Sequence, residues 1–148
     1  MKHSIVILYG PPWDQPAKLS KHQFALLWSK ESKVLYVESP PNTLSFLTRT
    51  KEAFRLLKRF IKGPVEVEKR LWVTTYFYIL PFRGKKYLLG GEWVNALNQY
   101  IIKRVFTKQI KDLGLVKPIF IVGDAHAHPL LKTIDKKSII YHCSDDYT

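Results

Sequence analysis

Apolar positions along this chain fall into two periods. Ile5-Val6-Ile7-Leu8-Tyr9 is an unbroken apolar run, the pattern of a strand covered on both faces. Gly10-Pro11-Pro12-Trp13-Asp14-Gln15-Pro16 follows as loop, because proline removes ladder donors and disrupts helix interiors. Ser20-Lys21-His22-Gln23 has the Ser-x-x-Gln spacing of a capping box, which predicts a helix whose apolar stripe is Phe24, Leu27 and Trp28. Val34-Leu35-Tyr36-Val37 is a second buried strand, closed by Glu38 and the breaker Ser39-Pro40-Pro41. Strand, helix and strand in so short a span make a βαβ unit, which demands parallel pairing and a right-handed crossover.

The middle of the chain is less regular. Lys51 to Lys62 reads as a helix stopped by Gly63-Pro64. Val65-Glu66-Val67-Glu68 alternates and Leu71 to Leu80 is apolar and β-rich, a pattern that suits a hairpin turning at Lys69-Arg70. Helical spacing returns at Trp93, Leu97, Tyr100, Ile101 and Val105 and runs towards Leu113. A further strand is predicted at Pro118–Gly123, a short helix at His128–Ile134 and a last strand at Ser138–Cys143. The sum is an α/β chain: a Rossmann-like, doubly wound sheet of about five mainly parallel strands. It forms one domain over residues 1–148.

Composition narrows the class. An apolar fraction of 46% argues for a packed globular core and against disorder. The single cysteine, Cys143, excludes an internal disulfide and fits a reducing compartment as a buried thiol. No run reaches the ~20 apolar residues of a spanning helix, and Ser4–Tyr9 is too short for a signal-peptide core. The expected location is cytoplasmic, with peripheral attachment to the inner face of the cell membrane left open. The formal net charge of +12 calls for an anionic partner. No nucleic-acid motif is present, and the aromatics fall mostly within apolar stripes, so nucleic acid is not expected. An anionic membrane surface is the better candidate. On the Lys51–Lys62 helix, Ala53, Phe54, Leu57, Phe60 and Ile61 form an apolar stripe, with Lys51, Arg55, Lys58, Arg59 and Lys62 largely opposite. The same pattern also describes an ordinary helix packed on its sheet with a solvated basic face. The basic loop Arg83-Gly84-Lys85-Lys86 adds Lys85 and Lys86 to Arg55, Lys58, Arg59 and Lys62 as the set expected to touch an anionic membrane or a lipid-diphosphate acceptor.

Candidate chemistry lies at strand ends, where open α/β sheets bind ligands. A dinucleotide fold carries G-x-G-x-x-G in its first βα turn. Here Gly10 stands alone before two prolines that lack N–H groups for a pyrophosphate, which argues against nicotinamide or flavin. Trp13 could stack on a sugar while Asp14 accepts its hydroxyls, or Trp13 could plug the space under the loop. Asp124-Ala125-His126-Ala127-His128 follows a strand, so Asp124, His126 and His128 could bind a divalent metal in a hydrolase. The favoured use is a polar cluster on the sheet's carboxyl rim, with His126 as base or hydrogen-bond donor. A purely structural reading makes Asp124 a helix cap and the histidines surface residues. The run Ser138-Ile139-Ile140-Tyr141-His142-Cys143-Ser144 drives into the adjacent acids Asp145 and Asp146, the rim of a site at a strand end.

Taken in order, Ile5–Asp14, Val34–Glu38 and Ile140–Tyr147 resemble the N-terminal domain of bacterial GT-B glycosyltransferases, especially the teichuronic-acid type of cell-surface polysaccharide assembly. The shared features are a Pro-Trp loop after the first strand, a Leu-Tyr-Val-Glu strand and a Tyr-His-Cys-x-Asp-Asp-Tyr segment. The resemblance implies an acceptor-binding half facing a donor-binding half that these 148 residues do not contain, so the chain is expected to be inactive alone. It implies Gly10, Trp13 and Asp14 along the acceptor side of the cleft, His126 towards the donor sugar and Asp145 and Asp146 at the cleft rim. With the polar-cluster reading of the strand ends, Asp124 joins the substrate-binding set and His126, Asp145 and Asp146 are the expected catalytic residues. It implies no metal or cofactor, a nucleotide-sugar as co-substrate, and a glycan or lipid-linked acceptor. Gly123-Asp124-Ala125-His126-Ala127-His128 departs from the Asp-Pro type of turn common in that family. The rival readings are a non-catalytic Rossmann-like binding domain and a metal-dependent hydrolase.

Overall fold

A computed structural model of the chain describes residues 3–39, 50–76, 91–123, 128–132 and 134–142. In chain order the elements are β1 (Ser4–Gly10), α1 (Ser20–Ser29), β2 (Lys33–Glu38), α2 (Thr50–Lys62), β3 (Val65–Glu68), β4 (Leu71–Thr75), α3 (Gly91–Asp112), β5 (Ile119–Val122), α4 (His128–Leu131) and β6 (Ser138–Tyr141). They build one six-stranded sheet in the order β3-β4-β2-β1-β5-β6. Every pairing is parallel except β3 with β4, the expected hairpin. Arg70 closes that hairpin at φ 67.

Both faces of the sheet are covered, as the unbroken apolar runs require. Ile5, Ile7, Val34, Tyr36, Leu71 and Val73 point to one face and pack with Trp13 and with Ala25 of α1. Val6, Leu8, Leu35, Val37, Phe120 and Val122 point to the other, against Ile102, Phe106 and Ile110 of α3 and Leu130 and Leu131 of α4. The period-two split of each strand between two cores is the doubly wound, Rossmann-like pattern.

Two helices present different faces from those their periodicity predicts. On α1 the buried side is His22, Ala25 and Ser29, while Leu27 is exposed. Small side chains let the helix lie close to the sheet, and Phe24 and Trp28 stack on each other, rings 5.2 Å apart. The cap also shifts by one residue. Leu19 is the N-cap, and its backbone N–H donates to His22 Nδ1 at 3.1 Å, so His22 plays the part expected of Gln23.

On α2 the inversion is larger. Phe54 and Ile61 stand out into solvent, whereas Arg59 turns inward, its side chain only 17% exposed. Gly63, at φ 77, ends the helix with its N–H donating to Arg59 and Phe60 carbonyls, the left-handed stop anticipated from Gly63-Pro64.

Candidate functional site

The chain runs outward from β1 to β2 and β4, then returns to add β5 and β6 on the other side of β1. The strand order therefore reverses between β1 and β5, and ligands of open α/β sheets bind outside the carboxyl ends at such a reversal. Two connections leave that point: Gly10–Leu19 after β1, and the segment that starts at Gly123 after β5.

The end of β1 is irregular. Ile7 pairs with Tyr36 but Gly10 pairs with Glu38, so one residue is extra, and Tyr9 takes φ 55. Bulges of this kind re-aim the chain beside functional rims. Gly10 is required there by packing, since a Cβ would be driven into the ring and hydroxyl of Tyr36. Tyr36 donates its hydroxyl to the Pro11 carbonyl at 2.8 Å. The side-chain space beside Gly10 is thus filled by the Tyr36 phenol.

Trp13 sits under the loop, 9% exposed. Its ring lies 5.1 Å from Tyr36 and 5.3 Å from His22, with the Lys18 ammonium 4.6 Å from its centroid. Of the two uses expected of Trp13, its burial fits the plug under the loop.

Asp14 remains at the surface, its side chain 51% exposed, but it is not free. Its Oδ2 accepts from Arg55 Nη1 at 2.6 Å and Arg59 Nη2 at 2.8 Å. Desolvation pushes its pKa up, yet Arg59 and Arg55 outweigh it and hold the carboxyl below its ordinary range. Arg59 also donates Nη1 to Glu38 Oε1 at 2.6 Å, and the Trp13 backbone N–H donates to the same oxygen at 2.7 Å. Glu38 is 1% exposed, and its Oε2 has no hydrogen-bond partner among the described residues. Burial opposes the charge on Arg59, but Glu38 and Asp14 together raise its pKa above the usual value.

This Asp14–Arg59–Glu38 strap joins the loop after β1, the end of β2 and helix α2. Sequence reasoning placed Asp14 at the rim but missed Glu38, and it gave Arg55 and Arg59 to contact with a membrane or an anionic acceptor; in the structure both arginines pair with rim carboxylates. The available signal was Glu38 itself, an acid closing a buried strand, which needs a cation nearby. Lys58 and Lys62 are exposed as expected.

At the reversal point the Lys21 ammonium donates to the Tyr9 carbonyl at 3.0 Å and lies against Gly123, where a Cβ would collide with it. His142, just past β6, packs edge-on to Phe24 at 5.4 Å. Asp124, His126, Asp145, Asp146, Lys85 and Lys86 lie outside the described residues, as does the side chain of His128. Among the described residues, no three His, Cys, Asp or Glu side chains converge as a metal site would require. No described helix is long and apolar enough to cross a membrane.

Fold and rim together define a doubly wound α/β domain with an ion-paired carboxyl edge. Comparison of the chain with family models, curated proteins and solved structures yields no match.

Proposed function

We propose that this domain is the acceptor-side half of a GT-B type glycosyltransferase. It would move a sugar from a nucleotide-sugar donor to a cell-surface glycan or lipid-linked acceptor. The observation that carries the reading is the strand reversal between β1 and β5, because open α/β sheets bind their ligands outside the strand ends at such a reversal. The ordered resemblance of Ile5–Asp14, Val34–Glu38 and Ile140–Tyr147 to that family supplies the choice among Rossmann-like functions. Asp14 offers an exposed acceptor for sugar hydroxyls, and Arg55, one third exposed, offers a donor to an anionic group beside it. In this reading His126, Asp145 and Asp146 stand at the cleft lip, and the donor half is supplied from outside these 148 residues. Transfer needs both walls, because an open half-cleft neither excludes water nor aligns the donor.

The test is sugar transfer by the complete gene product, assayed with a panel of nucleotide-sugars. His126→Ala and Asp145→Asn should each lower kcat about a hundredfold or more while thermal unfolding stays unchanged. Unaltered transfer in both variants would remove these residues from the mechanism. Absence of transfer with every donor, alongside retained glycan binding, would favour a binding domain.

A further inference from the structure

Helix α2 turns Arg55 and Arg59 towards the rim carboxylates and Phe54 and Ile61 outward. Phe54 is 73% exposed and Ile61 76% exposed. At about 100° per residue these two positions fall within about 20° of each other and lie about 10 Å apart along the axis. Lys58 lies about 40° and Lys62 about 80° to one side of Phe54, and both are exposed. Half-buried Leu57 lies about 60° to the other side. Arg59, about 140° away, is committed to Glu38 and Asp14, and Arg55 to Asp14. The outer face is therefore an apolar ridge with a lysine flank, held outward by ion pairs on the inner face.

We propose that this face docks on an anionic lipid bilayer, with Phe54 and Ile61 entering the acyl boundary and Lys58 and Lys62 meeting lipid phosphates. Charge complementarity favours a bilayer: the ridge is flanked by lysines, no acid lies on the described part of this face, and the chain carries a net charge of +12. The ion pairs also decide which cations take part. Lys58 and Lys62 reach the surface, whereas Arg55 and Arg59 serve the rim. Arg59 touches Glu38 at the carboxyl end of β2, and Arg55 and Arg59 both touch Asp14 in the loop after β1. The helix consequently lies along the carboxyl rim, and docking would bring the rim beside the membrane surface. The proposal does not depend on the transferase reading.

Co-sedimentation of the chain with vesicles tests it, using phosphatidylcholine alone or mixed with phosphatidylglycerol. Binding is expected to the mixed vesicles only and should weaken as salt rises. Lys58→Gln with Lys62→Gln should weaken partitioning about 30-fold. Phe54→Ser with Ile61→Ser should abolish it at every salt concentration. Val116→Ser, which removes an equally exposed apolar residue elsewhere, should change nothing. Circular dichroism melts establish that each variant is folded. Equal binding to neutral vesicles, no binding by the parent chain, or unchanged binding by the Phe54/Ile61 variant would each overturn the proposal. A parent dimer that this variant dissolves would assign the face to a second copy instead.

Discussion

His22 uses both ring nitrogens to fasten the loop after β1. Nδ1 accepts from the Leu19 N–H, and Nε2 lies 3.2 Å from the Pro12 carbonyl, to which it can only donate. This pairing fixes the neutral Nε2–H tautomer. The ring is fully buried and stacks on Tyr36 at 5.3 Å. Burial lowers its pKa, and Lys18 adds to the shift; the two backbone hydrogen bonds and Glu38 oppose it without reversing it. A histidine with a lowered folded pKa binds fewer protons folded than unfolded. Its contribution is therefore complete above the unfolded pKa of about 6.5 and declines as pH falls below that value. The added slope reaches at most about 1.4 kcal/mol per pH unit. Asp14, also shifted down, loses its contribution only in the more acid range below about 3.9, so the two windows separate. Urea unfolding from pH 8 downwards should show the first decline, and His22→Gln should flatten it. Glutamine can still accept from Leu19 and donate to Pro12, but it takes up no proton. A slope unchanged in that variant would assign the decline to another group.

Periodicity located the elements but misassigned two helix faces, for a physical reason in each case. On α1 the sheet demands close approach, which Ala25 and Ser29 permit and Leu27 does not. On α2 a buried carboxylate outweighs the apolar stripe, because an unpaired Glu38 would cost more than exposing Phe54 and Ile61. Neither demand shows in a hydropathy pattern, since both depend on what the facing element presents. The same logic predicts how α2 is held. Arg59→Met strands Glu38, which is 1% exposed, and should destabilise the domain by about 3–5 kcal/mol in denaturant unfolding. Adding Glu38→Gln should restore much of the loss, since a neutral amide still accepts from the Trp13 N–H. Arg55→Gln touches only the exposed Asp14 pair and should cost about 1 kcal/mol or less. Additive effects of Arg59→Met and Glu38→Gln would mean that the strap does not bind the helix.

At the scale of the whole molecule, continuous apolar runs announced central strands correctly. β1 and β2 came from unbroken β-rich sequence, and both are buried on two faces in the structure. The site was less legible. Gly10 and Trp13 stand where the sequence places them, yet they serve packing, because Tyr36 arrives from the neighbouring strand to fill the space between them. Such convergence of β1 and β2 at the rim is set by register, which no single segment displays. Register also ranks the stability of the sheet. β1 is hydrogen-bonded on both sides, to β2 and β5, and β2 lies between β1 and β4. β6 is an edge strand in which Ile140 and Tyr141 are half exposed or more, and β3 is an edge strand with exposed Glu66 and Glu68. Amide protection follows burial and pairing, so Val6–Leu8 and Leu35–Val37 should exchange only through global unfolding. Amides of β3 and β6 should exchange through local opening, orders of magnitude faster and with little sensitivity to denaturant. Mass-spectrometric exchange on the chain reads this ranking peptide by peptide. If β6 were protected as strongly as β1, another element would have to cover that edge, giving direct evidence of a wall adjoining the switch-point side of the sheet.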